Sequence, residues 1–377
     1  MTIARSSAAD RPDTAALLPA AVAGDAEAFR RLTGPYRREL LVHCYRMLGS
    51  LDDADDAVQE TLLKAWRRLA GFERRSTLRA WLYRIATNVC LDALDHNARR
   101  ILPTAIVGPA DPHVAPEPDD PEMPWLQPFP DALLEMADPD PLVDPATAVV
   151  RREHIELAFI AAVQHLRPRQ RAVLMLREVL GLSAAETADV LGTTPASVNS
   201  ALQRARTTLD ARLPAGDVGL TPPAEQADLV ARYVRAWHAK DVPALVALLR
   251  EDAYMTMPPT LSWYRGRDHI GVYLRQLFAS PWGRDLRLVP TAANRQPAMA
   301  VYAATEDGNG YQPFALKVLT VHGGLVAAVT GFVRSGLVGR CGLPPHVPRS
   351  SMSSTCSQLR PYGESAGQAP DDKERPA

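Results

Sequence analysis

The chain has 377 residues, which is enough for two or three domains. Its 42 Lys and Arg residues nearly balance 43 Asp and Glu residues, so the net charge of −1 excludes a uniformly basic protein and leaves charged surfaces to local patterns. No apolar run approaches the roughly 20 residues that a membrane-spanning helix needs. The N-terminal stretch MTIARSSAADRPDTAA lacks the apolar segment of a signal peptide, and we therefore expect a cytoplasmic protein with no membrane partner.

The cysteines are scattered at Cys44, Cys90, Cys341 and Cys356, with no CxxC pair and no histidine at metal-ligand spacing. Cys44 and Cys90 fall in apolar helical patterns, where a free cysteine behaves as a small hydrophobe. The pattern indicates a reduced protein without a structural metal or a cofactor.

Two short helices are predicted between Leu17 and Ser50. Asp25 can cap a helix that runs through Leu32, and Pro35 can begin the next one. We assign these helices to the core of a first domain.

The stretch from Asp52 to Arg100 predicts two further helices joined by the basic loop GFERRST. Apolar residues recur at helical spacing in both helices. These residues are Ala54, Val58, Leu62, Ala65 and Leu69 in the first helix, and Trp81, Leu82, Ile85, Val89 and Ala93 in the second. Aspartates crowd the first turn of the first helix, where the helix dipole favours carboxylates. The predicted outer face of the second helix consists of Arg79, Tyr83, Arg84, Thr87 and Asn88.

A basic loop with an aromatic residue, followed by a helix that carries arginines, suits single-stranded nucleic acid. Arginines neutralise phosphates, and an aromatic side chain such as Phe72 can hold an unstacked base. By composition alone, an ordinary helical hairpin with a solvated charged face explains the pattern equally well.

The order of the residues favours the nucleic-acid interpretation. The runs DDADDAVQETLLKAW and LRAWLYRIATNVCLDAL, with Phe72 between them, closely resemble domain two of bacterial RNA polymerase sigma factors of the extracytoplasmic-function class. The resemblance implies that Asp56, Gln59 and Glu60 contact the clamp helices of the largest polymerase subunit. It implies that Phe72 and Asn88 shape a pocket for a flipped base of the downstream promoter element. Further DNA-binding residues expected in this domain are Arg74, Arg75, Arg79 and Arg84.

Residues 101–150 differ in composition, with twelve prolines, ten acidic residues and no Lys or Arg. Such a segment cannot bury enough apolar surface to order itself. It contains one apolar island, PWLQPFPDALLEM, which we expect to dock onto another surface. In sigma factors the corresponding linker threads the polymerase channel that RNA later occupies, and the acidity of this linker suits a basic path.

Residues 151–213 predict a compact helical module. The run from Ser183 to Glu186 is a capping box that starts a short helix ending at Gly192. Thr194 then caps a helix that begins at Pro195 and is expected to run to Leu213. Two helices joined by a tight glycine turn form a helix-turn-helix.

Polar residues cover the outer face of the second helix of this motif. Ser, Asn, Gln and Arg at the N-terminal half of such a helix are residue types that read base edges in a major groove. A helical hairpin with an ordinary polar face is the alternative. The run SAAETADVLGTTPASVNSALQRARTTL resembles domain four of the same sigma factors, including their R-A-R element. The resemblance implies that the upstream promoter element contacts Ser197, Asn199, Ser200, Gln203, Arg204 and Arg206.

A third unit, residues 224–338, predicts helices first and then a curved antiparallel sheet, which is an α+β pattern. Strands are expected at 253–257, 286–290, 298–305, 314–321 and 325–333, with a helix at 268–278. Gly323 and Gly324 supply the positive φ angles of a two-residue hairpin turn. Residues 341–377 are rich in Ser, Pro and Gly, and we expect a disordered tail there.

The stretches EDAYMTMPP and WYRGRDHIGVYL, with the late strands, resemble the SnoaL-like cone fold of polyketide cyclases, ketosteroid isomerases and many non-enzymatic relatives. Such folds usually enclose an apolar pocket, which allows a small-molecule ligand. Catalysis would require a buried acid or base. Asp268, His269 and His322 are the candidates, and helix capping or a turn position explains each of them as well. We therefore expect no catalytic residue.

The predicted architecture is multi-domain. It consists of sigma domain two at 17–100, an acidic Pro-rich linker at 101–150, sigma domain four at 151–213, a SnoaL-like α+β domain at 224–338 and a tail at 341–377. We predict a sigma factor that binds core RNA polymerase and promoter DNA, with a regulatory C-terminal domain. A helix-turn-helix repressor or activator would have no need of the Asp52–Arg100 elements. The alternative is a SnoaL-like enzyme or ligand sensor fused to a DNA-binding module. An acid–base pair deep in the pocket would favour the enzyme.

Overall fold

The computed structural model describes residues 14–72, 77–96, 100–116, 120, 122–135, 155–212, 223–281, 283–333 and 335–352. The chain divides into two compact units. The first comprises the residues up to Ile106 together with Asp120–Asp217, and the second comprises Val107–Asp119 together with the residues from Val218 onward.

The first unit begins with helices that form a small bundle. They are α1 (Thr14–Val22), α2 (Ala26–Thr33), α3 (Arg37–Leu48), α4 (Leu51–Arg68) and α5 (Leu78–His96). As predicted, Asp25 caps α2, because its carboxylate accepts from the amides of Glu27 and Ala28 at 2.8 and 3.1 Å. Helices α3, α4 and α5 pack against one another. The predicted apolar stripes form their contact, since Ala54, Val58, Ala65, Leu82, Ile85 and Val89 are all buried.

The helix-turn-helix also forms as predicted. Its module contains α7 (Leu157–Val163), α8 (Pro168–Leu174) with a π-helical continuation at Met175–Val179, α9 (Ala184–Leu191) and α10 (Pro195–Asp210). The amide of Ser183 donates to Glu186 Oε2 at 2.7 Å, and the amide of Glu186 donates to Ser183 Oγ at 3.2 Å. Gly192 is left-handed with φ +59°. Helix α10 ends before the expected Leu213, which lies outside the described residues.

The linker island docks onto domain two, as expected from its apolar residues. Trp125, Leu126 and Phe129 are buried, and the Phe129 ring lies 4.9 Å from the ring of Tyr45. The Tyr45 hydroxyl donates to the carbonyl oxygen of Gln127 at 2.9 Å. A short helix, α6 (Ala132–Glu135), follows, and residues 136–150 lie outside the described residues.

Gln127 of the island caps the start of α4. Its Oε1 accepts from the amides of Leu51 and Asp52 at 2.9 and 3.1 Å, and its Nε2 donates to Asp52 Oδ2 at 2.8 Å. The first turn of a helix has amides without intrahelical partners, so these bonds stabilise α4. At the other side of the island, Arg100 forms an ion pair with Asp53. Gln127 of the linker and Arg100, the residue before the linker, therefore hold the first two acidic residues of α4.

Domain four joins domain two at the end of α3. The guanidinium of Arg171 is buried and donates to the carbonyl oxygen of Met47, to Gln164 Oε1 at 2.8 Å and to the carbonyl oxygens of Gln164 and Leu166. Gly49 ends α3 with φ +73°, and a Cβ atom built on it would lie 2.7 Å from Gln164 Nε2. Glycine is therefore required at this position both for its backbone angle and for the close approach of domain four.

The second unit is an α+β domain with one mixed sheet. Its helices are α11 (Pro223–Ala239), α12 (Val242–Ala247), α13 (Arg267–Ala279) and α14 (Ser335–Arg340). Its strands are β1 (Leu249–Thr256), β2 (Trp263–Arg265), β3 (Arg287–Ala293), β4 (Gln296–Ala304), β5 (Gly310–His322), β6 (Leu325–Phe332) and β7 (Val347–Pro348). The strand order is β2-β1-β6-β5-β4-β3, with β7 on β5.

Two expectations for this unit are corrected. The sheet is not wholly antiparallel, because the chain crosses over after β1 and returns through β3–β5, so that β6 lies parallel to β1. Residues 341–352 are ordered, since β7 pairs with Gly310 and Tyr311 of β5. The prediction of disorder was based on the Ser, Pro and Gly content of this segment and did not consider its apolar residues. Two of these residues, Val347 and Met352, are buried. Residues 353–377 lie outside the described part of the chain.

The linker also contributes to the second unit. The amide of Ala110 donates to the carbonyl oxygen of Trp263 at 2.7 Å, and Trp263 Nε1 donates to the carbonyl oxygen of Val107 at 2.9 Å. Residues 107–119 therefore fold with the C-terminal domain, whereas the residues on either side of them fold with the sigma domains.

Gly49→Ala should destabilise the protein more than Gly192→Ala. Both glycines are left-handed, which costs about 1–2 kcal/mol for an L-residue. Only at Gly49 would the methyl group meet another side chain, and Gln164 is fixed by Arg171. Overpacking should add about 1 kcal/mol or more. Urea unfolding of both variants measures the difference, and equal losses would contradict the contact.

Candidate polymerase and nucleic-acid interface

One exposed face of α4 carries the three residues expected to meet polymerase. Asp56 and Gln59 are exposed, and Glu60 is half-buried. Their spacing of three and four residues places them on one face of the helix. Leu63 lies on the same face and is 42% exposed. Single exposed leucines are common on protein surfaces, so Leu63 adds an apolar group to this face without marking a contact by itself.

The polar face of α5 is narrower than expected. Arg84 and Asn88 are exposed, but Tyr83 and Thr87 are buried. Thr87 donates to the carbonyl oxygen of Tyr83 at 2.8 Å and lies 3.0 Å from His43 Nε2. Burial and the nearby Arg46 lower the pKa of His43 to about 3, so the histidine is neutral. Helical periodicity cannot distinguish such a buried polar cluster from a solvated face, because the residue types are the same.

Phe72 and the arginines of domain two lie in different environments. The Phe72 ring is half-buried and lies 5.2 Å from the ring of Trp81. Arg79 forms an ion pair with Glu39 at 2.7 Å. Its guanidinium also lies 5.0 Å from the centre of the Tyr83 ring. Arg79 is thus held against the domain rather than extended from it. Arg74 and Arg75 lie outside the described residues.

The recognition helix α10 presents the face that the sequence predicts. Val198, Leu202 and Ala205 are buried. The residues exposed on the opposite face are Ser197, Asn199, Ser200, Gln203, Arg204 and Arg206. Side chains at this N-terminal half of the helix can reach base edges in a major groove.

Two of the arginines predicted to contact DNA are paired with acidic residues. Arg84 of α5 lies 3.2 Å from Asp189 of α9, which is the first helix of the helix-turn-helix. Arg206 pairs with Glu178 of the π-helical segment. Ion pairs between exposed side chains contribute about 0–1 kcal/mol, so phosphates can replace these carboxylates at little cost.

Comparison with known proteins agrees with this geometry. Residues 32–100 match Sigma-70 region 2, residues 156–209 match Sigma-70 region 4, and residues 230–329 match the SnoaL-like domain. The chain is 45% identical over 318 residues to the ECF RNA polymerase sigma factor SigG of Mycobacterium tuberculosis, covering 84% of each chain. The chain belongs to the ECF family of RNA polymerase sigma factors.

A second relative supports the same three-domain arrangement. This sigma factor is 29% identical over 306 residues to SigJ of Mycobacterium tuberculosis, covering 78% of this chain and 88% of SigJ. The crystal structure of SigJ matches it with a TM-score of 0.53 at 24% identity, over 82% of this chain and 97% of that chain. The structural match indicates that this sigma factor and SigJ share a fold.

Family membership establishes what the sigma factor does. It directs core RNA polymerase to promoter DNA at the start of transcription. Among the residues described, no helix is both long and apolar enough to cross a membrane. The described residues also contain no group of His, Cys, Asp and Glu side chains that could hold a metal ion.

The C-terminal domain of the sigma factor does not bury the acid–base candidates. Asp268 and His269 are exposed at the start of α13. His322 is half-buried beside the surface residues Arg250 and Asp252, and burial together with Arg250 lowers its pKa. The titratable side chains buried in this domain include that of Lys317. It was not among the predicted candidates, although the alternation of the strand PFALKVLTV places it in phase with the buried Ala315 and Leu319.

Proposed function

We propose that the α4 face formed by Asp56, Gln59, Glu60 and Leu63 binds the clamp helices of the largest polymerase subunit. The exposure of Asp56, Gln59 and Leu63, with the half-buried Glu60 on the same side of the helix, supports this role. An exposed leucine surrounded by polar groups can supply the apolar centre of the contact, and its polar neighbours can supply the rim. This sigma factor would therefore act in the cytoplasm, where core polymerase is found.

Promoter DNA would be bound at two places. Phe72 and Asn88 would hold an unstacked base of the downstream element, with Arg74, Arg75, Arg79 and Arg84 near its phosphates. The outer face of α10 would read the upstream element through its polar residues. The observation that carries this proposal is the exposure of Arg84, Asn88 and the α10 face on one folded unit.

The C-terminal domain would regulate initiation without catalysing a reaction. The hydrogen bonds of Trp263 support a regulatory role, because they hold linker residues 107–110 that would otherwise be available to polymerase. The exposure of Asp268 and His269 supports a non-catalytic domain. A small molecule in this domain could change initiation only by binding one arrangement of the protein better than another.

Phe72→Ala combined with Asn88→Ala should impair promoter opening and leave core binding intact. Lost contacts to an unstacked base are worth about 1–3 kcal/mol. Permanganate footprinting of the holoenzyme measures the opened strand. Phe29→Ala is the matched control, because Phe29 lies 5.0 Å from Trp66 in a similar pair of rings on another part of the domain. Undiminished opening, or an equal loss in the control, would contradict the assignment.

Gln203→Ala should relax the preference at particular positions of the upstream element. Arg206→Ala should weaken binding to all sequences evenly and reduce the salt slope by about one, because it removes a phosphate contact. Binding to a library of upstream elements at several salt concentrations separates the two effects. Arg169→Ala, an exposed charge on α8, is the control and should change neither. Identical profiles for Gln203→Ala and Arg206→Ala would count against base reading by Gln203.

Truncation after Leu213 should increase the affinity for core polymerase, because the linker loses its contacts with the C-terminal domain. Each lost hydrogen bond is worth about 1 kcal/mol, so we expect an increase of about fivefold or more. Trp263→Phe should give a smaller increase, since it removes only the Nε1 bond to Val107. Tyr302→Phe is the control, because it removes a bond to Pro344 in the same domain. Unchanged affinity and unchanged transcription in the truncated protein would exclude this regulation.

A further inference from the structure

The side chain of Gln127 holds residue Asp52 at two points. Its Oε1 accepts from the Asp52 amide at 3.1 Å, and its Nε2 donates to Asp52 Oδ2 at 2.8 Å. A grip on both the backbone and the carboxylate of one residue restricts the side-chain torsion between them. The Asp52 side chain is thus held in place although the residue is exposed.

Gln127 is itself held by several groups of domain two. It is only 4% exposed. Its amide donates to the carbonyl oxygen of Gly49 at 3.0 Å, and its carbonyl oxygen accepts from the Tyr45 hydroxyl at 2.9 Å. Its Oε1 also accepts from Ser50 Oγ at 3.2 Å and from the Leu51 amide at 2.9 Å. A side chain locked by packing and by several hydrogen bonds can keep a neighbouring group in one position.

Asp52 lies at the N-terminal end of the α4 face that we propose to bind polymerase. Intervals of four, three and four residues separate the members of this row, which are Asp52, Asp56, Gln59 and Leu63. Asp53 lies outside the row, because each residue turns a helix by about 100°. It forms its ion pair with Arg100 instead. Of these two neighbouring aspartates, only Asp52 therefore continues the face.

The hydrogen bond from Gln127 keeps Asp52 suited to a cationic partner. The donor is a neutral amide, so this bond orients the carboxylate without adding a positive charge to it. A carboxylate has about four lone-pair sites, and the same group can still accept from a guanidinium or an ammonium group. The same side of α4 carries the carboxylates of Asp56 and Glu60. Carboxylates gathered on one side of a helix complement a basic surface.

Capping of α4 is the simpler explanation of Gln127. The bonds from the amides of Leu51 and Asp52 to its Oε1 stabilise the first turn of the helix. Capping needs only this acceptor, and Ser50 Oγ serves the Asp53 amide at 3.1 Å. Capping alone therefore leaves the bond from Nε2 to the Asp52 carboxylate unexplained.

We propose that Asp52 is a further residue of the polymerase-binding face and that Gln127 of the linker is its positioning residue. Gln127 holds the carboxylate in the orientation that a cationic group of the polymerase meets, so less side-chain freedom is lost on binding. The linker thereby contributes to core binding from its place on domain two. This inference rests on the proposed function of the α4 face, to which it adds a residue and the chemical class of its partner.

Titration of core polymerase with the full chain tests both roles in a double-mutant cycle. Asp52→Ala should weaken core binding by about fivefold and reduce its dependence on salt, because one charged contact is lost. Gln127→Met should weaken core binding by about threefold, because the cap and the orientation of Asp52 are both lost. In the Asp52→Ala background, Gln127→Met should weaken it by less than about twofold, because only the cap remains to be lost.

Arg100→Met is the matched control, because it removes the partner of Asp53 in the same turn of α4 and leaves residue Asp52 unchanged. It should change core affinity by less than about twofold in either background. Deuterium exchange of the α4 amides identifies any variant whose helix has frayed. If Gln127→Met frays the helix, Gln127→Glu takes its place in the cycle, because it keeps an acceptor for the amides and lacks the donor.

Three results would overturn the inference. They are a loss from the Gln127 variant that is the same in both backgrounds, an equal loss from Arg100→Met, and unchanged core binding by Asp52→Ala. Asp56→Ala separates this inference from the proposed function. If Asp56→Ala binds core polymerase as tightly as the unmodified protein, the proposed face itself is wrong. If Asp56→Ala weakens binding and Asp52→Ala does not, the face stands and only the role of Asp52 is wrong.

Discussion

The buried guanidinium of Arg171 determines how the two sigma domains are joined. It comes from domain four and donates to Met47 at the end of α3, while Gln164 accepts from it and packs over Gly49. Leaving a buried hydrogen-bonding group without its partner costs about 1–3 kcal/mol. The Gln127 amide of the linker donates to the carbonyl oxygen of Gly49, and its side chain accepts from the amides of Leu51 and Asp52. Domain four and the linker therefore meet the same turn between α3 and α4.

The strengths of the contacts indicate which of them controls the separation of the domains. The Arg84–Asp189 pair is exposed on both sides and contributes little. Of the Arg171 hydrogen bonds, the one to the carbonyl oxygen of Met47 crosses to domain two, and this buried bond must break before domain four can leave α3. The surface ion pair between Arg84 and Asp189 affects this separation only slightly.

The features that the sequence revealed are those encoded by neighbouring residues. The capping box at Ser183, the left-handed Gly192 and the Gly323–Gly324 turn are local, and each lies where the sequence predicts. The missed features depend on residues far apart in the chain. The burial of Thr87 requires His43 of another helix, and the parallel pairing of β1 with β6 depends on the crossover. Lys317, by contrast, could have been recognised from its phase in β5.

The cap that Gln127 provides has an evolutionary consequence for the linker. Gln127 and Phe129 occupy two separate places on domain two, and the spacing between them matches those places. A single inserted or deleted residue within this stretch would displace either the amide from the start of α4 or the ring from Tyr45. Insertions and deletions, which Pro-rich segments usually tolerate, are therefore expected only in the parts of the linker outside this stretch. Within a Pro-rich sequence, the three consecutive residues from Gln127 to Phe129 are held to a fixed count by the geometry of a helix end.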